Sequence, residues 1–352
     1  MTTLNKYTCL NWGYNNTEKI YREHKNDKWF FYYDKITRKP LSWKNECLET
    51  AKLINNTYNI PIDILVSGGV DSLVCCESFR LSNIPFNAII FDFKYNEHDI
   101  IYAKNYCEEF QIKYKVIKID IKDFFKNKLE EYSEHTQCRN PQIVFQAYMT
   151  EFVDNLPVFG LGELFLCLGR IINPKTNFTG YKQAPINDGK VLTFEGEQYQ
   201  AIERLLRYRK RPGIPKFFIY TSELKLSLLI NPIILEWIQN AKLNKQQDTD
   251  YFDLKLNTNF KSLFYLHYFP EVGTRPKVDY KRFKGVPKII SRNDYTGFEY
   301  ISEIHKTYQD KLFNKFPEEY NQFKWTPYIE KIKMLCDDEE LIENVYKQIK
   351  DY

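Results

Sequence analysis

Residues 62–81 read IDILVSGGVDSLVCCESFRL, and their division into three parts decides the fold. Ile62 to Val66 is an apolar run of strand length, and Ser72 to Leu81 is an apolar run of helix length. Between them Ser67-Gly68-Gly69-Val70-Asp71-Ser72 leaves space only for a tight loop. Further on, Phe86 to Phe93 (FNAIIFDF) reads as a second strand and His98 to Phe110 as a second helix. Tyr114 to Ile119 reads as a third strand, Pro141 to Asp154 as a third helix, and Pro157 to Gly160 as a fourth short strand. Strands alternating with helices at these lengths indicate βαβ units around a parallel sheet. The expected fold class is therefore α/β, a Rossmann-like doubly wound parallel sheet over residues 61–240. A short N-terminal β/α region (1–60) precedes it and a mainly helical C-terminal region (241–352) follows.

Working outward, KWFFYY at residues 28–33 reads as a strand. Ser42 to Thr57 reads as a helix, with Ser42 at its N-cap, Glu46 in its first turn, and Leu48, Ala51, Leu53 and Ile54 along one apolar face. Past the fourth strand the regularity fades. Residues 171–200 read as loop with at most a hairpin, Gln198 to Arg209 as a helix, and Ser222 to Ala241 as a helix broken near Pro232. Residues 268–298 are irregular and basic, and the chain is helical and charged from Tyr300 onward.

Composition sets outer bounds. Over 352 residues, 43% hydrophobic content supplies a core and excludes a disordered chain. Fifty Lys+Arg against 46 Asp+Glu leave a net charge of +4, too little to imply nucleic-acid or membrane binding by itself. The N-terminus, MTTLNKYTCLNWG, has no apolar signal core, and no segment reaches membrane-spanning length. None of the 8 cysteines forms a C-x-x-C pair, and Cys75 and Cys76 are adjacent inside an apolar run. They read as reduced core thiols of a cytoplasmic protein.

The loop at residues 67–72 has the residue types of a phosphate cradle. Gly68 and Gly69 permit close backbone approach and unusual torsions, so that successive N–H groups can face one anion. The helix starting near Ser72 adds its positive end, and Ser67 and Ser72 add hydroxyls. Asp71 beside an anion calls for a cation between them, and Mg²⁺ is the natural one. A plain strand-to-helix turn would need one Gly and a capping Ser. No G-x-x-x-x-G-K-[ST] or G-x-G-x-x-G motif accompanies the loop.

SGGVDS after an apolar strand resembles the pyrophosphate-binding loop of the PP-loop ATP pyrophosphatases, the adenine nucleotide alpha-hydrolase group. The resemblance covers roughly residues 60 to 170. It extends to the synthetase domain of asparagine synthetase and to stand-alone PP-loop proteins of phages and bacteria. It implies that ATP is split between its α and β phosphates, with a substrate oxygen adenylated, pyrophosphate released and AMP displaced by a nitrogen nucleophile. The implied cofactors are ATP and Mg²⁺. The implied partners are a small-molecule substrate and an amine or ammonia. The chain begins Met1-Thr2 with about 60 residues ahead of the loop, so no N-terminal glutaminase is expected.

Gly160-Leu161-Gly162-Glu163-Leu164-Phe165 is similar to the G-x-G-A-D-E-L-F segment of asparagine synthetase, without the acid that precedes the Glu there. It makes Gly160 and Gly162 candidate nucleotide contacts, and Glu163, with Asp71, a candidate metal ligand or base. The family places adenine against the end of the second strand, which nominates Phe91, Asp92 and Phe93. Asn96 and His98 read equally as helix caps or as ligands. Arg204 to Arg211 (RLLRYRKR) reads either as cations completing a helix C-terminus or as a clamp on ATP phosphates or RNA. Within it Arg209 is the candidate catalytic cation and Tyr208 a possible stacking surface. Cys138 and Arg139 read as a buried thiol and a surface Arg, or as a thiolation nucleophile and a phosphate contact. Lys277, Lys281, Arg282, Lys284 and Lys288 make a second basic stretch. The expected function is an ATP-dependent, AMP-forming, C–N bond-forming ligase. A tRNA-modifying enzyme of thiolation or lysidine type, less favoured, and a non-catalytic nucleotide-binding module are the alternatives.

Overall fold

The computed structural model describes residues 7–162, 164–167, 191–243, 253–255, 264–273, 302–316 and 322–350. It opens with an antiparallel ribbon of β1 (Leu10–Tyr14) and β2 (Trp29–Tyr33), Leu10 facing Tyr33 and Tyr14 facing Trp29. The expected strand at residues 28–33 is β2; its partner β1 is an addition to the expected elements. α1 (Trp43–Tyr58) follows, started by Ser42, whose hydroxyl accepts from Asn45 N–H, and ended by Asn59 in the left-handed region at φ 47°. Glu46 is buried and receives two hydrogen bonds from Arg38, at 2.6 and 2.7 Å.

The expected βαβ run is present. β3 (Ile62–Leu65), α2 (Val70–Leu81), β4 (Asn87–Asp92), α3 (Glu97–Glu109) and β5 (Tyr114–Lys118) succeed one another. A helical stretch with a π turn at Phe124–Lys128 leads into α4 (Leu129–Thr136), α5 (Pro141–Tyr148) and β6 (Leu156–Phe159). Asn140 caps α5 by accepting from Gln142 and Ile143 N–H, and Pro141 occupies its first position. The four strands form one parallel sheet in the order β5-β4-β3-β6, with Ile64 opposite both Ala88 and Val158. β3 thus has its sequence successor on one side and the last strand on the other. The direction of winding reverses there, and ligands of open α/β sheets bind outside the strand carboxyl ends at such a point.

Side-chain alternation splits the interior into two cores, one on each face of the sheet. Ile62, Ile64, Ala88, Ile90 and Val158 face Trp43, Ala51, Ile54, Leu73 and Phe79 of α1 and α2. Leu65, Ile89, Phe91 and Phe159 face Val144, Phe145 and, from the region beyond, Ala201 and Leu205.

The parallel sheet has the four strands expected of it. Its four strands end at Phe159, and the remaining strands build a second, antiparallel sheet. The elements are β7 (Phe165–Cys167), β8 (Leu192–Gly196), α6 (Ala201–Tyr208), α7 (Ser222–Leu229), α8 (Pro232–Leu243), β9 (Asp253–Lys255), α9 (Ser302–Lys315), β10 (Phe323–Pro327), α10 (Tyr328–Leu335) and α11 (Glu339–Lys350). The order is β10-β8-β7-β9, so a strand from the C-terminal region flanks β8. β7 and β9 have three residues each, too few for alternation to register in a sequence. The break expected near Pro232 separates α7 from α8.

A buried ion network joins the ribbon to α6. Glu197 meets Arg22 at 2.8 Å and Arg204 at 3.2 Å, all three side chains being essentially inaccessible. Trp12 donates to Glu203 at 2.9 Å. Among the described residues, Cys9, Cys47, Cys75, Cys76, Cys107, Cys138 and Cys336 are buried and form no disulfides. No helix of the described residues is long and apolar enough to cross a membrane.

Candidate active site

The loop expected to carry the chemistry leaves β3 at the point where the sheet reverses. Val66 continues the strand by donating to Ile89 O at 2.8 Å. Gly68 then turns at φ +77°, and an added Cβ would fall 2.1 Å from Asp99 O of α3. Both facts demand glycine there. Gly69 differs. It is the N-cap of α2 at φ −69° and ψ 149°, extended backbone open to any residue, so the expectation of unusual torsions holds for Gly68 alone.

Three short polar contacts hold the loop. Ser67 Oγ accepts from Gly69 N–H at 3.1 Å, Ser72 Oγ donates to Gly69 O at 2.8 Å, and the two hydroxyls stand 3.3 Å apart. No side chain caps α2. The first N–H groups of a helix have no intrahelical acceptors, and this 12-residue helix presents them at the sheet's carboxyl edge with Val70 and Asp71 half-buried. Ser67 is exposed and Ser72 buried.

The loop after β6 reaches the same place. An added Cβ on Gly160 would lie 2.7 Å from Asp71 O and 2.9 Å from Ser72 Cα. Gly162, at φ +99°, backs against Ile219 and Lys216. Ile214 lies in parallel beside Val158, donating to Pro157 O at 2.7 Å and accepting from Phe159 N–H at 2.9 Å. Phe218 N–H then donates to Leu161 O at 3.0 Å. The fold thus brings together Ser67, Gly68, Gly69, Val70, Asp71, Ser72 and Gly160, while Gly162 packs instead on Ile219 and Lys216. Glu163, the expected second acid, lies outside the described residues.

The end of β4, the expected adenosine site, is tied down by its own side chains. Phe91 and Phe93 are buried in the second core, Phe93 edge-on to Phe145 at 5.5 Å. Asn96 takes their backbone groups, donating to Phe91 O at 2.8 Å and accepting from Phe93 N–H at 3.1 Å. Phe91 O and Phe93 N–H thus each have a partner within the chain. Asn96 is the N-cap residue of α3, but its side chain ties the strand end instead of capping the helix. The Asp92 carboxylate accepts from Lys94 N–H at 2.9 Å.

The basic run is engaged by partners within the chain. Arg204 is fully buried and donates to Ile20 O and Thr136 O, both at 2.9 Å, besides its pair with Glu197. Arg207 pairs with Glu203 at 2.6 Å, and Arg211 donates to Thr150 O at 2.8 Å. Arg209, the expected catalytic cation, pairs with Glu151 at 2.8 Å and lies over the Tyr208 ring at 5.2 Å. A helix end buried against α4 and α5 needs these donors for its neighbours' carbonyls and acids, and a phosphate clamp would compete with them. Burial pushes the Cys138 thiol up to about 12, which removes the thiolate that sulfur transfer needs. Arg139 is buried and lies over the Phe313 ring at 4.2 Å. The basic stretch from Lys277 to Lys288 lies outside the described residues.

Sequence reading missed a cluster behind Gly162. Lys216, Lys225 and Lys331 are buried, and each acts electrostatically on Glu195 of β8. Burial works against the Glu195 charge, but the three ammonium groups together hold its carboxyl down at about 2. Burial draws Lys216 and Lys331 down to about 8 although Glu195 partly opposes this. These lysines come from a loop, α7 and α10, so no local spacing announces them.

Among the described residues, no group of three His, Cys, Asp or Glu side chains converges as a metal site. A Mg²⁺ ion that keeps waters and takes phosphate oxygens needs only one or two carboxylates, and the described loop carries one, half-buried Asp71.

No family model matches this sequence, and no curated protein matches it. Among solved structures the chain is similar to the NH3-dependent NAD synthetase from Campylobacter jejuni subsp. jejuni NCTC 11168 in complex with the nitrate ion. The likeness is 13% identity and a TM-score of 0.28 over 68% of this chain and 99% of that one.

Proposed function

We propose that the chain is an ATP-dependent, AMP-forming ligase, with ATP seated on the loop of residues 67–72. One observation carries this reading. A two-glycine loop with two hydroxyls and an acid opens a helix lacking a side-chain cap, at the reversal point of a parallel sheet. A plain turn would not need Asp71 in the first helical turn beside Ser67 and Ser72.

In this reading the α2 amides and the serine hydroxyls bind the pyrophosphate portion of ATP. Asp71 holds Mg²⁺, with Glu163, one residue after Gly162, as second acid or base. Bound Mg²⁺ would neutralise phosphate charge as pyrophosphate leaves. The α2 N-terminus orients the phosphates and favours charge developing on the leaving group. A substrate oxygen attacks the α-phosphorus, the bond to the bridging oxygen breaks, and a nitrogen nucleophile then displaces AMP. The engaged arginines and the protonated Cys138 speak against RNA thiolation and favour a small-molecule acceptor.

The test is to incubate the protein with ATP, Mg²⁺, ammonium and pooled small metabolites, then separate AMP from ADP. AMP and pyrophosphate in equal amounts support the ligase. ADP with phosphate, or unchanged ATP that nonetheless binds, would replace it with an ATPase or a binding module respectively.

A further inference from the structure

Among the described residues, the lysine cluster behind Gly162 is out of charge balance. Lys331 is 0% exposed, Lys225 2% and Lys216 6%. Their shared acid is Glu195, 3.3 Å from Lys331 Nζ and also bonded by the Tyr33 hydroxyl. Lys216 Nζ donates to Gln200 Oε1 at 2.8 Å. Lys331 lies over the rings of Phe31 and Tyr33, at 4.6 and 4.9 Å. Glu203 also acts on Lys216, but Arg207 and Trp12 already hold it. Cys9, a further titratable neighbour among the described residues, bonds Ile219 O at 3.2 Å. Lys225 Nζ has neither a hydrogen bond nor an ion pair to any described residue. Among the described residues, three buried lysines thus share one carboxylate. Buried charges persist only when paired, so this arrangement wants an anion.

Its position is informative as well. Gly160 packs on Asp71 and Ser72, while Gly162 packs on Lys216, an added Cβ there lying 3.3 Å from Lys216 Cβ. Two residues span at most about 7 Å of chain, so one short segment touches both the nucleotide loop and the lysine cluster.

We propose that Lys216, Lys225 and Lys331 form an anion-binding pocket, beside the nucleotide loop, for a carboxylate or phosphate group of the second substrate. The pocket stands on its own geometry; only its assignment to a second substrate rests on the ligase reading. Lysines supply compact point charges that suit either oxyanion, and Lys225 is the donor left over for it.

The test uses the full chain, thermal unfolding, and inorganic phosphate or acetate as probes at constant ionic strength set with chloride. At pH 7 one of the two probes should raise the unfolding midpoint, and the one that does identifies the group carried. The rise should persist in Gly69→Val, which alters only the nucleotide loop, and disappear in Lys225→Met and in Lys216→Met. Without probe, Lys225→Met should unfold at a higher temperature than the parent, because it deletes a buried amine that no described residue hydrogen-bonds. The probe effect should also fade above pH 8, where Lys216 and Lys331 lose their protons. No rise with either probe, a rise kept in both lysine variants, or a Lys225→Met protein that folds less well than the parent overturns the pocket. Loss of MgATP binding in Gly69→Val with the probe response intact would leave the two sites separately established. MgATP that never binds, with the probe response present, would overturn the ligase reading and keep the pocket.

Discussion

Gly160 sits directly against the backbone of Asp71: a Cβ at 160 would lie 2.7 Å from the Asp71 carbonyl oxygen. Two loops from neighbouring strands are therefore in backbone contact, and the start of α2 is fixed by β6 as well as by β3. Gly160→Ala should push α2 outward. Overpacking of this kind costs about 1–3 kcal/mol, and denaturant unfolding should show a loss in that range. Calorimetry should show MgATP affinity falling with it. A fully stable variant with parental affinity would mean that the loop after β6 has no part in shaping the cradle.

The two adjacent glycines should behave oppositely. Gly68→Ala puts a side chain into α3 at a positive φ and should destabilise the fold by at least 1 kcal/mol or so. Gly69→Ala should leave stability unchanged, since its φ of −69° is ordinary. Gly69→Val should spare the fold yet abolish ATP binding, because a branched side chain would stand over the α2 amides. Equal ATP affinity in Gly69→Val and the parent would remove the phosphates from this loop.

The two acids should separate binding from turnover. Asp71→Asn should fold normally and lose the Mg²⁺ dependence of ATP binding. Glu163→Gln should bind ATP as the parent does but form AMP at a rate lower by about 10²-fold or more. A Glu163→Gln enzyme with full turnover would return Glu163 to an ordinary turn residue.

The basic run should prove structural. Arg204→Met breaks a buried network, though Glu197 keeps Arg22, and should cost about 3 kcal/mol of stability. Arg209→Gln loses only a partly exposed pair with Glu151 and should cost about 0–1 kcal/mol. Neither parent nor variants should bind tRNA in a strongly salt-dependent way. If Arg209 neutralises an RNA phosphate, the parent should instead show a steep salt slope that Arg209→Gln makes shallower by roughly 0.7–0.9. That outcome would restore the RNA reading.

The parallel sheet was readable because each strand is a nearly continuous apolar run and each helix follows within a few residues. Ile62 to Val66 and Phe86 to Phe93 differ from β3 and β4 only at their ends. Ser42 could be read as a cap because capping is local. The antiparallel sheet was not readable: β7 and β9 are three residues long, and β10 carries Pro327 and looks like a helix approach. The roles of Arg204, Asn96 and Lys225 depend on tertiary neighbours that no local pattern encodes. Arg204 looks in the sequence like one cation among five, yet its partners are Ile20, Thr136 and Glu197.

The pairing of β10 with β8 sets an order of events during synthesis. Trp325 lies opposite Phe194, so the second sheet cannot close until the last tenth or so of the chain has left the ribosome. The parallel sheet needs nothing beyond Phe159 for its strands, and its contacts are comparatively local. A nascent chain should therefore acquire the loop of residues 67–72 early while β8 waits as an unpaired edge. Ribosome-bound chains halted before residue 323 should resist protease across residues 62–159 and be cut around 192–196. Equal resistance in both stretches would show that β8 is covered by something other than β10 until release.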